Sequence, residues 1–430
     1  MTEDLNKNIE KAQQQFKEWK ALSFETRQNY FVQLGELLLE NKEDLGKIIT
    51  QDMNKPISQA IGEIEKCAGL CFYYAKAENV LKPESVETEF AISQVHHEPL
   101  GIILGVMPWN YPFWQVLRFA VPTLIAGNTV VIKHASNCLR CGDAIQQLFE
   151  KAGFPIGVFQ HLALGHSEVE ILIADARIKA VSLTGSEAAG RKIATIAGSH
   201  LKKCVLELGG NDAFIVLADA DLPKATKAAA LARLQNCGQT CVAGKRFIIH
   251  QEVYVEFMKL FVAEYQKFQP GNPLDKSTKL SAMSREDLAE DLVKQYENAI
   301  ANGAEIILPL QNQGNGVFVP GLLKMNENNP VLDEELFGPL GMVIQVNSDE
   351  EALQVANETS FGLGNAVFSE DYNKAMFFAK NLESGSVAIN QLFKSDVRLP
   401  FAGRKNSGYG TELSLRAFFE FTATKTIIGS

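Results

Sequence analysis

Residues 101–134, GIILGVMPWNYPFWQVLRFAVPTLIAGNTVVIKH, decide the fold. Two short, apolar, β-rich runs, GIILGVM and NTVVIK, flank a segment that reads as helix. Further runs of the same kind follow, GVFQHLAL, KAVSL, CVLEL and AFIVL, with helical segments between most of them. Strand–helix alternation implies an open parallel sheet covered by helices on both faces. A second series, RFIIH, FVPGLL, MVIQV and AVFS, lies beyond residue 241, so two α/β lobes are expected. Upstream, residues 5–80 carry apolar positions at three- and four-residue spacing and read as helices. ETEFAISQVHHE (87–98) alternates and reads as an exposed strand pair.

Composition fits this reading. A chain of 430 residues is too long for one core. Hydrophobic content of 46%, charged content of 21% and a net charge of −10 describe an acidic globular protein. No Lys/Arg-rich stripe exists to neutralise phosphates, which argues against nucleic acid as a partner. The polar start MTEDLNKNIEKAQ does not read as a secretory signal, and the apolar stretches are broken before spanning length, so no membrane partner and a cytoplasmic location are expected. Seven scattered cysteines do not form a disulfide scaffold. Cys138-x2-Cys141 has no matching second pair, so no metal site is expected and most of the thiols read as small packed hydrophobes.

In open parallel sheets, ligands bind beyond the carboxyl ends of the strands. The residues just after each run therefore matter most. PWNYP (108–112) holds Asn110 between prolines; it reads as a rigid turn or as a fixed amide donor for an oxyanion. VIKHAS places Lys133 at a strand end, where it either reaches a ribose or its phosphate or snorkels into solvent. LTGSEAAGRKI (183–193) puts Gly185 and Ser186 at a strand-to-helix turn. Small residues there let N–H groups approach a phosphate, though a plain glycine turn fits equally. ELGG (207–210) ends a strand on Glu207, a general base or a solvated carboxylate. LQNCGQTCVAGKRF (234–247) holds two cysteines with no histidine nearby in sequence.

Taken in order, PWNYP, TGS, ELGG, GQTC, EELFGP, ETSFGLG and PFAGRKNSG resemble the aldehyde dehydrogenase superfamily along the whole chain, closest to its short bacterial succinate-semialdehyde dehydrogenase branch. The resemblance implies that Cys241 is the nucleophile, with Cys237 a packed neighbour. It implies that Glu207, 34 residues earlier, is the base and that the Asn110 amide stabilises the oxyanion. It assigns Glu335 and Phe337 to the nicotinamide ribose and ring, Lys133 and Ser186 to the adenosine ribose and pyrophosphate, and Trp109 to the edge of the adenosine pocket. The implied reaction carries an aldehyde through a cysteine thioester to a carboxylic acid. The implied division is a dinucleotide-binding domain over 1–86 and 100–209, a catalytic domain over 210–402, and an oligomerisation arm over 87–99 and 413–430. An exposed apolar arm needs a partner, so a homodimer or homotetramer is expected.

Three further expectations are specific to this chain. NAD-preferring relatives commonly carry Glu three residues after the strand-end lysine; here Ser136 leaves room for a 2′-phosphate, so NADP is expected to be used well, alongside or ahead of NAD. Arg118, eight residues after Asn110, is expected to clamp a substrate carboxylate, on the argument that a lone buried guanidinium needs an anion. The branch often has a second Arg where Gln235 stands, and Arg398 is expected to replace it, with Trp114 and Phe393 lining the tunnel. The favoured substrate is a short ω-carboxy aldehyde such as succinate semialdehyde. The alternatives are uncharged aldehydes with Arg118 in a structural ion pair, an acylating coenzyme A-dependent enzyme, which Glu207 disfavours, and a non-catalytic relative, which the filled catalytic positions disfavour. Relatives usually carry a segment with an NP-x-x-G turn before the first helix. Its lack here suggests missing strands at the edge of the cofactor sheet, and Ala402 replaces the usual glycine of PFGG.

Overall fold

The computed structural model describes residues 2–430, the side chain of His166 apart. Four helices, Glu3–Ala21, Phe24–Glu40, Lys42–Met53 and Ile57–Ala75, open the chain. The first two start on side-chain caps, Thr2 and Ser23, each accepting a backbone N–H of the first turn.

The first lobe is a six-stranded sheet in the order Gly408–Tyr409, Lys203–Glu207, Ile178–Thr184, Ile102–Met107, Thr129–His134, Phe159–His161. Its pairs are parallel except for Gly408–Tyr409 against Lys203–Glu207. Chain order runs outward from Ile102–Met107 in one direction and then restarts at Ile178–Thr184 on its other side. The strand order therefore reverses between these two, and a crevice opens beyond their carboxyl ends. PWNYP and TGS are the segments that leave those two strands.

The second lobe is a seven-stranded sheet in the order Glu305–Leu308, Gly321–Lys324, Leu340–Val346, Arg246–His250, Ala213–Val216, Gly364–Phe368, Ser386–Ile389. It is parallel apart from its first pair.

The arm differs in detail from the sequence expectation. Ile92–Pro99 is one strand, paired along its length with Thr422–Gly429 and, through Gln94 and Val95, with Glu84–Ser85. Residues 87–91 do not form a second strand; they make the tight return between Ser85 and Ile92, closed by the Val86 N–H donating to the Ser93 carbonyl. Residues 413–421 precede the arm strand and are folded into the first lobe, where Leu413, Phe418 and Phe421 join its core. Ile92, Ile427 and Ile428 are exposed on the arm. Among the described residues no helix is long and apolar enough to cross a membrane.

Candidate active site

Helix Trp114–Ile125 is buried at every position, and it launches from the PWNYP loop. Its first turn is held by a carboxylate from another helix. Glu63 Oε1 accepts the N–H groups of Phe113 and Trp114 at 2.9 and 3.0 Å, where the positive end of the helix dipole favours negative charge. The other Glu63 oxygen binds Lys55 Nζ at 2.5 Å, and Lys55 also donates to the Asn110 carbonyl at 2.8 Å. From the opposite side His134 Nε2 meets the Pro112 carbonyl at 2.9 Å while its Nδ1 accepts the Ala135 N–H. Burial lowers the His134 pKa to about 4, so the ring is neutral, with its proton on Nε2. The prolines thus bracket a loop fixed by three buried polar side chains, and Asn110 sits within it, 4% exposed. The Asn110 amide donates one hydrogen to the Gln239 carbonyl at 3.1 Å.

Gln239 belongs to the turn that carries the cysteines. Asn236, Cys237 and Gly238 have φ of 54°, 56° and 74°, a left-handed run that reverses the chain after helix Leu222–Leu234. Gly238 is forced there: a Cβ would lie 2.2 Å from the Gly338 carbonyl oxygen. The reversal separates the two thiols. Cys237 Sγ donates to the Ser281 carbonyl at 3.1 Å and is buried, which pushes its pKa up to about 12. Among the described cysteines Cys241 is the one partly open to a cavity.

Two cavities meet at Cys241. One, of about 340 Å³, is lined by Gln59, Lys66, Tyr111, Trp114, Phe393 and Cys241, among others. The other, of about 200 Å³, lies at the strand-order reversal and is lined by Trp109, Asn110, Gly185, Ser186, Glu335, Phe337 and Cys241. Burial raises the Cys241 pKa to about 11, with Lys245 and Arg118 pulling it down and Glu335 and Glu207 pushing it up. The thiol is therefore protonated at neutral pH and needs either a base or a nearby positive charge to become nucleophilic.

The smaller cavity suits the nicotinamide end of a dinucleotide. Trp109 and Phe337 make edge-to-face walls, with ring centroids 5.7 Å apart. Glu335 is held by the Gly210 N–H at 3.0 Å and by Lys245 at 3.3 Å. Its approach explains ELGG: a Cβ on Gly209 would lie 2.4 Å from Glu335 Oε2, and one on Gly210 2.7 Å from the Cys241 carbonyl oxygen. Ser186 caps helix Glu187–Ser199 through its Oγ, and Gly185 and Ser186 line the cavity, so the start of that helix borders it. Lys133 and Ser136 lie outside this cavity, at the end of the neighbouring strand Thr129–His134, and Ser136 is exposed.

Glu207 ends its strand 2% exposed, and neither cavity touches its side chain. Both carboxyl oxygens are buried without a hydrogen-bond partner. Burial and the neighbouring Glu412 push its pKa well up, against the pull of Arg118. In this position burial favours the neutral form of the Glu207 carboxyl.

On the substrate side the ground for assigning Arg118 changes, and the expectation for Arg398 is corrected. Arg118 lines the larger cavity, yet its guanidinium is not alone: it forms an ion pair with buried Glu412 and lies 4.9 Å from the Phe401 ring. The expectation that it needs a substrate anion rested on an absent counter-ion, and Glu412 is that counter-ion. Arg398 is exposed, binds Asp396 at 2.7 Å and does not reach the cavity. Gln235, Trp114 and Phe393 do line it. Sequence reasoning missed Lys66 together with Gln59 and Gly62, one face of helix Ile57–Ala75 at three- and four-residue spacing, and Lys394 and Ser395 on the loop before PFAG. It also missed the convergence of Asp52 on Cys138 and Cys141. There Asp52 Oδ1 binds Arg140 at 2.6 Å and Oδ2 accepts the Cys141 N–H at 3.1 Å, so the carboxylate tethers the start of helix Leu139–Lys151.

A partly open cysteine lies between a tunnel and a crevice at the strand-order reversal, on two parallel-sheet lobes, and the chain belongs to the aldehyde dehydrogenase family, which it matches over residues 1–427. Among its relatives, the probable succinate-semialdehyde dehydrogenase [NADP(+)] of Synechocystis sp. is 41% identical over 99% of this chain and 94% of its own length. The Escherichia coli K12 succinate semialdehyde dehydrogenase [NAD(P)+] is 40% identical over 99% of this chain and 93% of its own. The crystal structure of the Streptococcus pyogenes succinic semialdehyde dehydrogenase in complex with NADP+ superposes with a TM-score of 0.96 at 36% identity, covering 99% of this chain and 95% of that one.

Proposed function

We propose that the protein oxidises a short ω-carboxy aldehyde, succinate semialdehyde or a near analogue, to the acid with NADP or NAD. The observation that carries the reaction class is the position of Cys241, shared by both cavities. The names of the relatives carry the substrate and cofactor. NADP or NAD, when bound, would supply the hydride acceptor and a positive charge that favours the thiolate.

The chain's own residues do the rest. Cys241 loses its thiol proton to water, and its sulfur bonds to the aldehyde carbon entering through the larger cavity. The remaining hydrogen of the Asn110 amide holds the resulting oxyanion, and the buried Lys55 and His134 contacts keep that amide in place. After the aldehyde hydrogen departs with its electron pair, a thioester joins the acyl group to Cys241. Glu207, turned out of its buried position, takes a proton from water; the hydroxyl adds to the thioester carbon, the carbon–sulfur bond breaks, and the acid leaves. Ser136 and Lys133 favour the 2′-phosphate of NADP. The exposed apolar arm supports a homodimer or homotetramer, and a cytoplasmic location suits the cofactor and the free thiols.

The test is a comparison of succinate semialdehyde with butyraldehyde, which has the same carbon count and no carboxylate, each with NADP and with NAD. Preference for succinate semialdehyde with NADP is expected; preference for butyraldehyde contradicts the substrate assignment.

A further inference from the structure

Four charged side chains line the larger cavity: Glu63, Lys66, Arg118 and Lys394. Two of these charges are already cancelled. Glu63 faces Lys55 and two backbone N–H groups. Arg118 faces Glu412. The other two are cations with no carboxylate within ion-pair distance among the described residues. Lys66 Nζ donates to Ser395 Oγ at 2.7 Å and lies 3.9 Å from the centre of the Trp114 ring. Lys394, beside Ser395, adds a second positive charge at the same rim. Asp396, the nearest acid on that loop, is committed to Arg398.

The tunnel wall is therefore net positive before a substrate enters, and the excess sits on Lys66 and Lys394 rather than on Arg118. We infer that Lys66, supported by Ser395 and Lys394, is the specificity-determining cation that receives the ω-carboxylate of the substrate. The inference rests on the substrate reading above and names the residue that executes it. Lys66 suits the task in three ways. It projects from the helix face that already supplies Gln59, Gly62 and Glu63 to the cavity. Its ammonium is oriented by the Trp114 face and the Ser395 hydroxyl, which leaves a donor for an incoming carboxylate. It is also held in an unfavourable state that an anion relieves: although the residue is exposed at the mouth, protein crowding around the ammonium and then the Arg118 charge lower its pKa to about 8. The groups that face it are Glu63 and Cys67 on its own helix, Arg118 on Trp114–Ile125, Cys241 on the nucleophile turn, and Lys394 and Asp396 on the loop before PFAG.

The experiment measures kcat/KM for succinate semialdehyde and butyraldehyde in the wild type, Lys66→Met and Lys66→Arg, between about pH 7 and 9. In the wild type the succinate semialdehyde preference falls as pH rises through about 8, because the cation is lost. Lys66→Met lowers the preference by about 10- to 100-fold through KM. Lys66→Arg keeps the preference and removes its fall with pH. A wild type without preference overturns the substrate reading and this inference with it. A wild-type preference that survives intact in Lys66→Met overturns this inference alone. Should Lys66→Met fail to fold, a Lys66→Arg preference that falls with pH as in the wild type overturns it equally.

Discussion

The two chambers that meet at Cys241 are built in opposite ways. The cofactor side is assembled from segments that leave adjacent strands: PWNYP after Ile102–Met107, TGS after Ile178–Thr184 and ELGG after Lys203–Glu207. The substrate side is assembled from a helix face, a buried helix and a loop near the end of the second lobe. Strand ends converge because the sheet forces them together, so the first chamber follows from topology. Nothing in local sequence forces Lys66 toward Ser395; tertiary packing alone brings them together.

That difference is sharpened by removing the atom both chambers share. Cys241→Ala is expected to abolish aldehyde oxidation, a loss of at least about 10⁴-fold, while NADP still binds with near wild-type affinity. Binding is read by fluorescence titration. Turnover remaining in this variant would mean the two chambers do not meet in chemistry at Cys241.

A smaller effect belongs to the cofactor side. Ser136→Glu places a carboxylate where the 2′-phosphate is expected. It should weaken NADP by about 10- to 100-fold, the loss of one charge-assisted contact at about 1.5–3 kcal/mol, and should spare NAD. Equal weakening of both cofactors would move the 2′-phosphate away from Ser136.

The chambers also differ in how far the sequence disclosed them. Two parallel lobes and the strand-end motifs were legible because each is a local pattern: apolar runs of strand length, glycines where a Cβ would collide, a loop between prolines; the choice of Cys241 over Cys237 came with the family resemblance. Gly209 shows the point, since the glycine is dictated by Glu335, whose own motif is equally visible. Arg118 shows the limit. Its position was readable, but its counter-ion Glu412 comes from the far end of the chain, and without it the guanidinium looks unpaired. Arg398 failed for a similar reason: Asp396, two residues away, turns it back on its own loop, while Lys394 and Ser395 reach the tunnel instead. The arm strand was found, but the alternation of 87–98 carried no signal that its first residues are a turn.

Glu207 connects the two chambers in time. It is buried here, apart from both cavities, with its pKa pushed up by burial, and in the proposed mechanism its work as a base comes after hydride transfer. The most direct measurement of the account is therefore rapid mixing of Glu207→Gln with NADP and succinate semialdehyde, following reduced cofactor. The account predicts a burst of one equivalent per active site at close to the wild-type rate, then turnover slowed by about 10²- to 10⁴-fold, the usual worth of a general base. Loss of the burst together with turnover would contradict it, because Glu207 would then be needed for the attack by Cys241 rather than for release of the acid.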